Sequence, residues 1–162
     1  MTELQSPMAT LYAGWQTYQT LLITALTPLL PDQLALRAAP TLRSIEEIAT
    51  HMIGARARWF HQLMGEGADT FATLGTWDRP GMPTRSAAEL ARGLETTWQG
   101  MQDAIARWTP ADWQQTYAGA DASEPATIMR PWVIWHLIEH DLHHGGEIAL
   151  TLGMHGLPAP DL

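Results

Sequence analysis

No cysteine occurs among the 162 residues, so the chain forms no disulfide and supplies no thiolate, either as nucleophile or as metal ligand. Lysine is missing as well. All nine basic residues are arginine, against 17 acidic ones, for a formal net charge of −8. That balance argues against a nucleic-acid partner, whose binding depends on clustered positive charge. No apolar run reaches the roughly 18 residues that a membrane span needs. The opening residues, MTELQSPMATLYAGW, have neither the basic start nor the apolar centre of a secretory signal, and the expectation is a cytoplasmic protein with no membrane partner. Long alternations of apolar and polar residues are also wanting, which leaves little material for a sheet.

What the chain does have is helical periodicity. From Met8 to about Thr27, the residues Leu11, Trp15, Tyr18, Leu22, Ala25 and Leu26 recur at three- and four-residue steps, an amphipathic helix that Pro28 ends. Pro31 and Pro40 make the next segment a loop with at most a short turn. Ser44-Ile-Glu-Glu47 is a capping box opening a second helix, with Ile45, Ile48, Met52, Ala55, Trp59 and Leu63 as its stripe. His51 lies at the edge of that stripe, and His61 lies away from it on the expected surface. Gly65 to Thr84, rich in Gly, Pro, Asp and Thr, reads as an irregular connection. Ser86-Ala-Ala-Glu89 caps a third helix striped by Leu90, Leu94, Trp98, Met101, Ile105 and Trp108. Thr109-Pro110 begins one short turn, and Tyr117 to Pro125 is loop or extended chain. A fourth helix follows Pro131. Four amphipathic helices with two long connections predict an all-α four-helix bundle, a single domain over residues 1–162.

The fourth helix carries the chemistry. Four of the seven histidines, His136, His140, His143 and His144, fall within nine residues of it. Positions four apart lie one above the other on a helix, so His136, His140 and His144 form a ladder, with His143 and Glu147 beside it. Two imidazoles at i and i+4 can turn their nitrogens to one ion, the spacing that H-E-x-x-H sites use. Val133, Leu137 and Ile148 border His140 and His144, and Ile134, Trp135, Ile138, Leu142, Ala149 and Leu152 make a second apolar sector, with Asp141 between the two. A lone histidine among such neighbours is ordinarily satisfied by a carbonyl or a water. Four in nine residues favour a shared cation. His51 from the second helix would complete a set with His140 and His144, although spacing alone does not bring the two helices face to face.

Two segments, LRSIEEIATHMIGARARWFHQLMGEG around His51 and RPWVIWHLIEHDLHHGGEIALTLGMHGL, resemble the DinB-like (DinB/YfiT) superfamily, and the likeness extends over nearly the whole chain. The family pattern pairs one histidine on the second helix with an H-x-x-x-H near the end of the domain, positions held here by His51, His140 and His144. Gly145-Gly146-Glu147 stands where the family often has Arg-Gly-Gln, so no basic residue follows the second histidine of the pair. The resemblance implies an up-down-down-up bundle, frequently a homodimer, binding zinc, nickel or a similar divalent ion. It further implies either an enzyme, of the type that transfers or isomerises with low-molecular-weight thiols or of the metal-hydrolase type, or a non-catalytic metal-binding stress-response protein.

The expected metal ligands are therefore His51, His140 and His144. Substrate or thiol would be a small molecule from outside, because the chain has no thiol of its own. Glu47, one turn before His51, is a candidate to orient that imidazole, though its cap role explains it equally well. His136 and His143 are either partners of the ligands or ordinary surface and interface residues. Arg130, at the mouth of the last helix, is a candidate for an anionic substrate or an ordinary surface arginine. His155 is a loop residue. Eight tryptophans are many for four helices, and Trp132 and Trp135 are candidates for a dimer interface or for internal packing.

Overall fold

The computed structural model describes residues 7–119 and 125–161. Over these the chain is predominantly helical, in keeping with an all-α fold, but it has seven helices rather than four alone. They are α1 Pro7–Leu26, α2 Pro31–Leu34, α3 Ile45–Ala57, α4 Thr70–Leu74, α5 Ala87–Arg107, α6 Pro110–Trp113 and α7 Arg130–Met154. α3 continues into a π-helical segment, Arg58–Leu63. The four long helices α1, α3, α5 and α7 are the four expected from the periodicity. The three short ones lie in the connections, where Pro31 and Pro110 each open a single turn at a position that needs no N–H donor.

A second departure from the sequence reading is a small hairpin. β1 Thr116–Ala118 pairs antiparallel with β2 Thr127–Met129, Tyr117 standing opposite Ile128. Three residues are too few to display an alternating pattern, so the strands left no trace in the periodicity. Residues 120–124 of the expected loop lie outside the described residues.

Local signals set the helix ends. The Ser44 hydroxyl accepts from Glu47 N at 3.2 Å while Glu47 Oε2 accepts from Ser44 N at 2.7 Å, and Ser86 with Glu89 repeats the arrangement at α5. α7 has Pro131 in its first turn and stops before Gly156, whose φ of 70° is left-handed and suits glycine.

α3 packs against both α5 and α7, and α1 against α5. Leu22 and Leu26 of α1, Ile45, Met52 and Ile53 of α3, Leu90, Leu94 and Met101 of α5, and Val133, Leu137, Ile148 and Leu152 of α7 are all withdrawn from water. Through this apolar core runs one polar cross-link. Arg56 and Asp141, both wholly buried, meet at 2.7 Å. Trp15 Nε1 donates to the same carboxylate at 2.6 Å, and Arg56 Nη1 donates to Leu94 O at 3.4 Å. One residue from each long helix is thereby joined. Close by, a Cβ on Gly145 would lie 2.0 Å from the Tyr18 hydroxyl; only glycine there lets Tyr18 lie against α7. Among the described residues no helix is long and apolar enough to cross a membrane.

Candidate metal centre

The packing of α3 on α7 brings His51 to the pair His140 and His144. One ring nitrogen from each lies within 4.8 Å of the others. The ring centroids are 5.0 Å apart for His51 and His140, 4.9 Å for His51 and His144, and 4.4 Å for His140 and His144. His140 Nε2 stands 3.2 Å from His51 Nε2. Two nitrogens bound at about 2.0–2.1 Å to one tetrahedral zinc are roughly 3.3 Å apart, so the spacing matches that of two ligands on a shared ion.

The outer nitrogens are fixed by carboxylates. His51 Nδ1 meets Asp78 Oδ2 at 2.9 Å, and His144 Nδ1 meets Glu147 Oε2 at 2.6 Å. A carboxylate accepts, so Nδ1 of each ring donates and Nε2 of the neutral ring keeps the lone pair. This is how ligating histidines are oriented in metal sites generally. The lone pair of His51 Nε2 accepts from His140 Nε2. Asp78 is itself held by a guanidinium fork, Arg58 Nη1 to Oδ1 at 2.6 Å and Nη2 to Oδ2 at 2.9 Å, while Arg58 Nη1 also donates to Gly75 O. The space for this clamp comes from Gly54, one turn beyond His51: a Cβ there would lie 2.7 Å from Arg58 Nη1 and 2.8 Å from Asp78 Oδ1.

Electrostatics favour uncharged rings. Burial, reinforced by His144 and His51, pushes the pKa of His140 down to about 2. His144 is also lowered, by burial above all, with Glu147 opposing. Burial alone would raise Asp78, but hydrogen bonds from His51 and Arg58 outweigh it and hold the carboxyl well below its usual range. His140 Nδ1 is buried with no hydrogen-bond partner. A divalent cation requires neutral imidazoles; one replacing the proton between His51 Nε2 and His140 Nε2 would meet a nitrogen of each ring, and the cluster can coordinate it. Three ligands also leave a position for an outside donor. A cleft of about 400 Å³ lies beside the centre and is lined by His51, Asp78, Trp77, Arg79 and Glu46 among others; it touches His51 but neither His140 nor His144.

The remaining candidates from the sequence are placed elsewhere. Of the two roles open to Glu47 the structure has the cap on Ser44, with Arg37 also 2.7 Å away, and it is Asp78 that bonds to His51. Asp78 escaped the sequence reading because it lies 27 residues from His51 in an irregular connection, where no period relates the two. His136 stands apart from the three-nitrogen group, stacked on Trp132 at 4.9 Å, packed edge-on against Trp59 at 4.9 Å, and bonded through Nδ1 to Glu139. Trp132 packs on His136 and Trp59 yet is only half-buried, whereas Trp135 is 58% exposed. His143 is exposed, pointing to Glu147. Arg130 is not a surface arginine: it is buried, paired with Glu66 at 2.9 Å, bonded to the Tyr117 hydroxyl and laid over Trp108. His61, expected in solvent, is half-buried with a buried Nδ1. His155 is exposed, at 3.1 Å from Arg37 O.

Comparison with known proteins agrees with this architecture. The chain is similar to a crystal structure of a DinB-like protein from Bacillus cereus ATCC 10987, with 22% identity and a TM-score of 0.71 over 93% of this chain and 94% of that one. At that identity the likeness speaks for the fold. No curated protein matches the chain. The model of the DinB family matches residues 1–162, from the first helix through the histidine pair of the last, and the chain belongs to the DinB family.

Proposed function

We propose that His51, His140 and His144 hold one divalent ion, zinc or nickel, and that this centre serves a metal-dependent reaction of the thiol S-transferase or hydrolase type. The observation that carries the reading is the 3.2 Å approach of His140 Nε2 to His51 Nε2, with the far nitrogens of His51 and His144 bound to carboxylates. An all-imidazole donor set suits zinc and nickel alike. Once bound, the ion supplies Lewis acidity to an oxygen or sulfur donor of the substrate. The chain's own part is orientation. Asp78 and Glu147 keep protons on the outer nitrogens, Arg58 keeps Asp78 charged and in place, and burial keeps His140 neutral. With no cysteine in the chain, any thiol enters as a co-substrate.

The same reading takes residues 1–162 as one domain, its long helices in the family's up-down-down-up order, acting in the cytoplasm with no nucleic-acid partner. It also takes the protein as a homodimer. Trp135, Leu142, Leu150 and Met154 leave large apolar side chains exposed along α7, a face whose burial against a second copy would remove them from water.

Two measurements test the centre. Elemental analysis of purified variants should show divalent metal lost from His51→Ala, His140→Ala and His144→Ala and kept by His136→Ala. Full retention by the His51 variant would sink the cross-helix site. Turnover of metal-loaded protein, with and without a low-molecular-weight thiol, separates the enzyme from the alternative of a non-catalytic metal-binding stress protein, which gives none.

A further inference from the structure

α7 carries a second set of donors on its outer side. His143 and Glu147 are one turn apart, with side chains 68% and 44% exposed, and His143 Nε2 lies 3.7 Å from Glu147 Oε1. Glu147 uses its other oxygen, Oε2, to accept from His144 Nδ1 at 2.6 Å. Donor atoms of His143, His144 and Glu147 all fall within 4.8 Å of one another. Because His144 Nδ1 is a proton donor here, the open donors are His143 Nε2 and Glu147 Oε1. Among the described residues no arginine pairs with Glu147; Arg43 lines the same groove as Glu147 and Thr151 without an ion pair to it.

We infer that His143 and Glu147 form an outer, weaker site for a second divalent cation, held by one imidazole nitrogen and one carboxylate oxygen, with water completing its shell. One nitrogen donor selects zinc, nickel or copper over magnesium or calcium, which take oxygen ligands. Glu147 links the two sites. A cation on Oε1 draws electron density from the carboxylate, and Oε2 becomes a poorer acceptor for His144 Nδ1. The outer ion thereby loosens the support of an inner ligand, and two dications sharing one imidazole–carboxylate pair repel each other, by roughly tenfold in affinity for a separation on the order of 10 Å in water. Excess metal acting through the outer site thus opposes the inner ion. The coupling, though not the outer site itself, rests on the inner centre proposed above.

Equilibrium dialysis of metal-free protein against nickel at neutral pH, followed by elemental analysis, tests both parts. The wild type should take up one tight equivalent and then a second at much higher free nickel. His143→Ala should lose the second and keep the first, and His51→Ala should lose the first and keep the second. Both changes are read as stoichiometry, and His143 is exposed enough for its removal to leave the fold intact. Exchange of the tight equivalent against isotopically distinct nickel should run roughly tenfold faster at free nickel that fills the outer site than below it, in the wild type but not in His143→Ala. Saturation of the wild type at one equivalent, or a second equivalent surviving His143→Ala, overturns the outer site. Equal exchange rates in wild type and His143→Ala at that free nickel overturn the coupling. A wild type with only the weak, His143-dependent equivalent would refute the inner centre and leave the outer one standing.

Discussion

Two polar clusters sit side by side on α7, and they are built to opposite ends. Asp141 belongs to the first, His140 and His144 to the second. Asp141 is wholly buried, yet its carboxylate is saturated: the Arg56 guanidinium holds both oxygens with three bonds and Trp15 Nε1 adds a fourth. Nothing more is needed there, and nothing could enter. The histidines next to it are partly open, uncharged and incomplete. Glu147 ties down Nδ1 of His144, as Asp78 does that of His51 across on α3, the three rings gather within ligand reach of one another, and His140 Nδ1 has no partner at all. A buried charge that is completely matched closes a fold, whereas neutral imidazoles brought together from two helices can take a cation. Adjacent residues of a single helix thus divide structure from chemistry.

The sharpest way to break that division is to unbalance the closed cluster. Arg56→Ala leaves the Asp141 carboxylate charged, buried and short of its main partner, a change that typically costs about 3–5 kcal/mol. Denaturant unfolding of metal-free protein should show a loss of that order, against a far smaller one for His140→Ala. A loss under about 1 kcal/mol for Arg56→Ala would mean that the cross-link is not what secures the four helices.

The open cluster should respond through affinity instead. Gly54→Ala puts a Cβ within 2.8 Å of Asp78 Oδ1 and 2.7 Å of Arg58 Nη1, so the clamp behind His51 must shift while the helix itself gains propensity. Asp78→Asn removes the charge and leaves the geometry. Each should weaken divalent-ion binding by about 10–100-fold, the usual effect of disturbing the acceptor behind a ligating histidine. Chelator competition measures this, and the far-ultraviolet circular dichroism should stay unchanged. Binding within twofold of wild type in both variants would remove Asp78 from the centre.

How far the sequence disclosed these two clusters follows from what periodicity can carry. The His140 and His144 pair was legible because both lie on one helix at a fixed step. His51 came from its place on a second stripe and from the family pattern, since no spacing shows that α3 faces α7. Asp78 was invisible, because its tie to His51 is made by a loop whose path depends on tertiary packing and on the gap left by Gly54. Arg56 went unremarked in the second helix, and Asp141 read only as a break between apolar sectors, for a charged residue is presumed to face water until its partner is found. Arg130 was misplaced on the surface for the same reason: Glu66 and Tyr117, which make its burial tolerable, lie in other elements.

Acid should sharpen the comparison in metal-free protein. A histidine in the unfolded chain takes up a proton near pH 6.5, whereas folded His140 stays neutral down to about 2. Between those values the unfolded chain binds the extra proton, so stability is lost as the pH falls below about 6.5. The lowered pKa of His144 acts in the same direction. Unfolding free energies from denaturant titrations at pH 7.5 to 4.5 should fall by up to roughly 1.4 kcal/mol per unit from His140 alone, and His140→Ala should flatten the slope. An identical slope in that variant would mean that other groups set it.

Metal removal should have the smallest effect on the fold. The core is built from Leu, Ile, Met and Trp side chains of all four long helices, and Arg56 with Asp141 closes it without help from an ion. A zinc finger lacks any such core and unfolds when stripped. Here the ion contributes only linkage: at ten times its dissociation constant it adds about 1.4 kcal/mol, worth about 3–5 °C in Tm for a chain of this size. Stripping it leaves neutral imidazoles, two of them still bonded to carboxylates, in a site that water can reach through the half-buried His51. Chelated protein should therefore keep its helical circular dichroism at 25 °C and melt a few degrees lower than the metal-loaded form. Loss of the helical signal on chelation would show that the open cluster, and not the closed one, holds the four helices together, and it would move the reading of this ion from chemistry to structure.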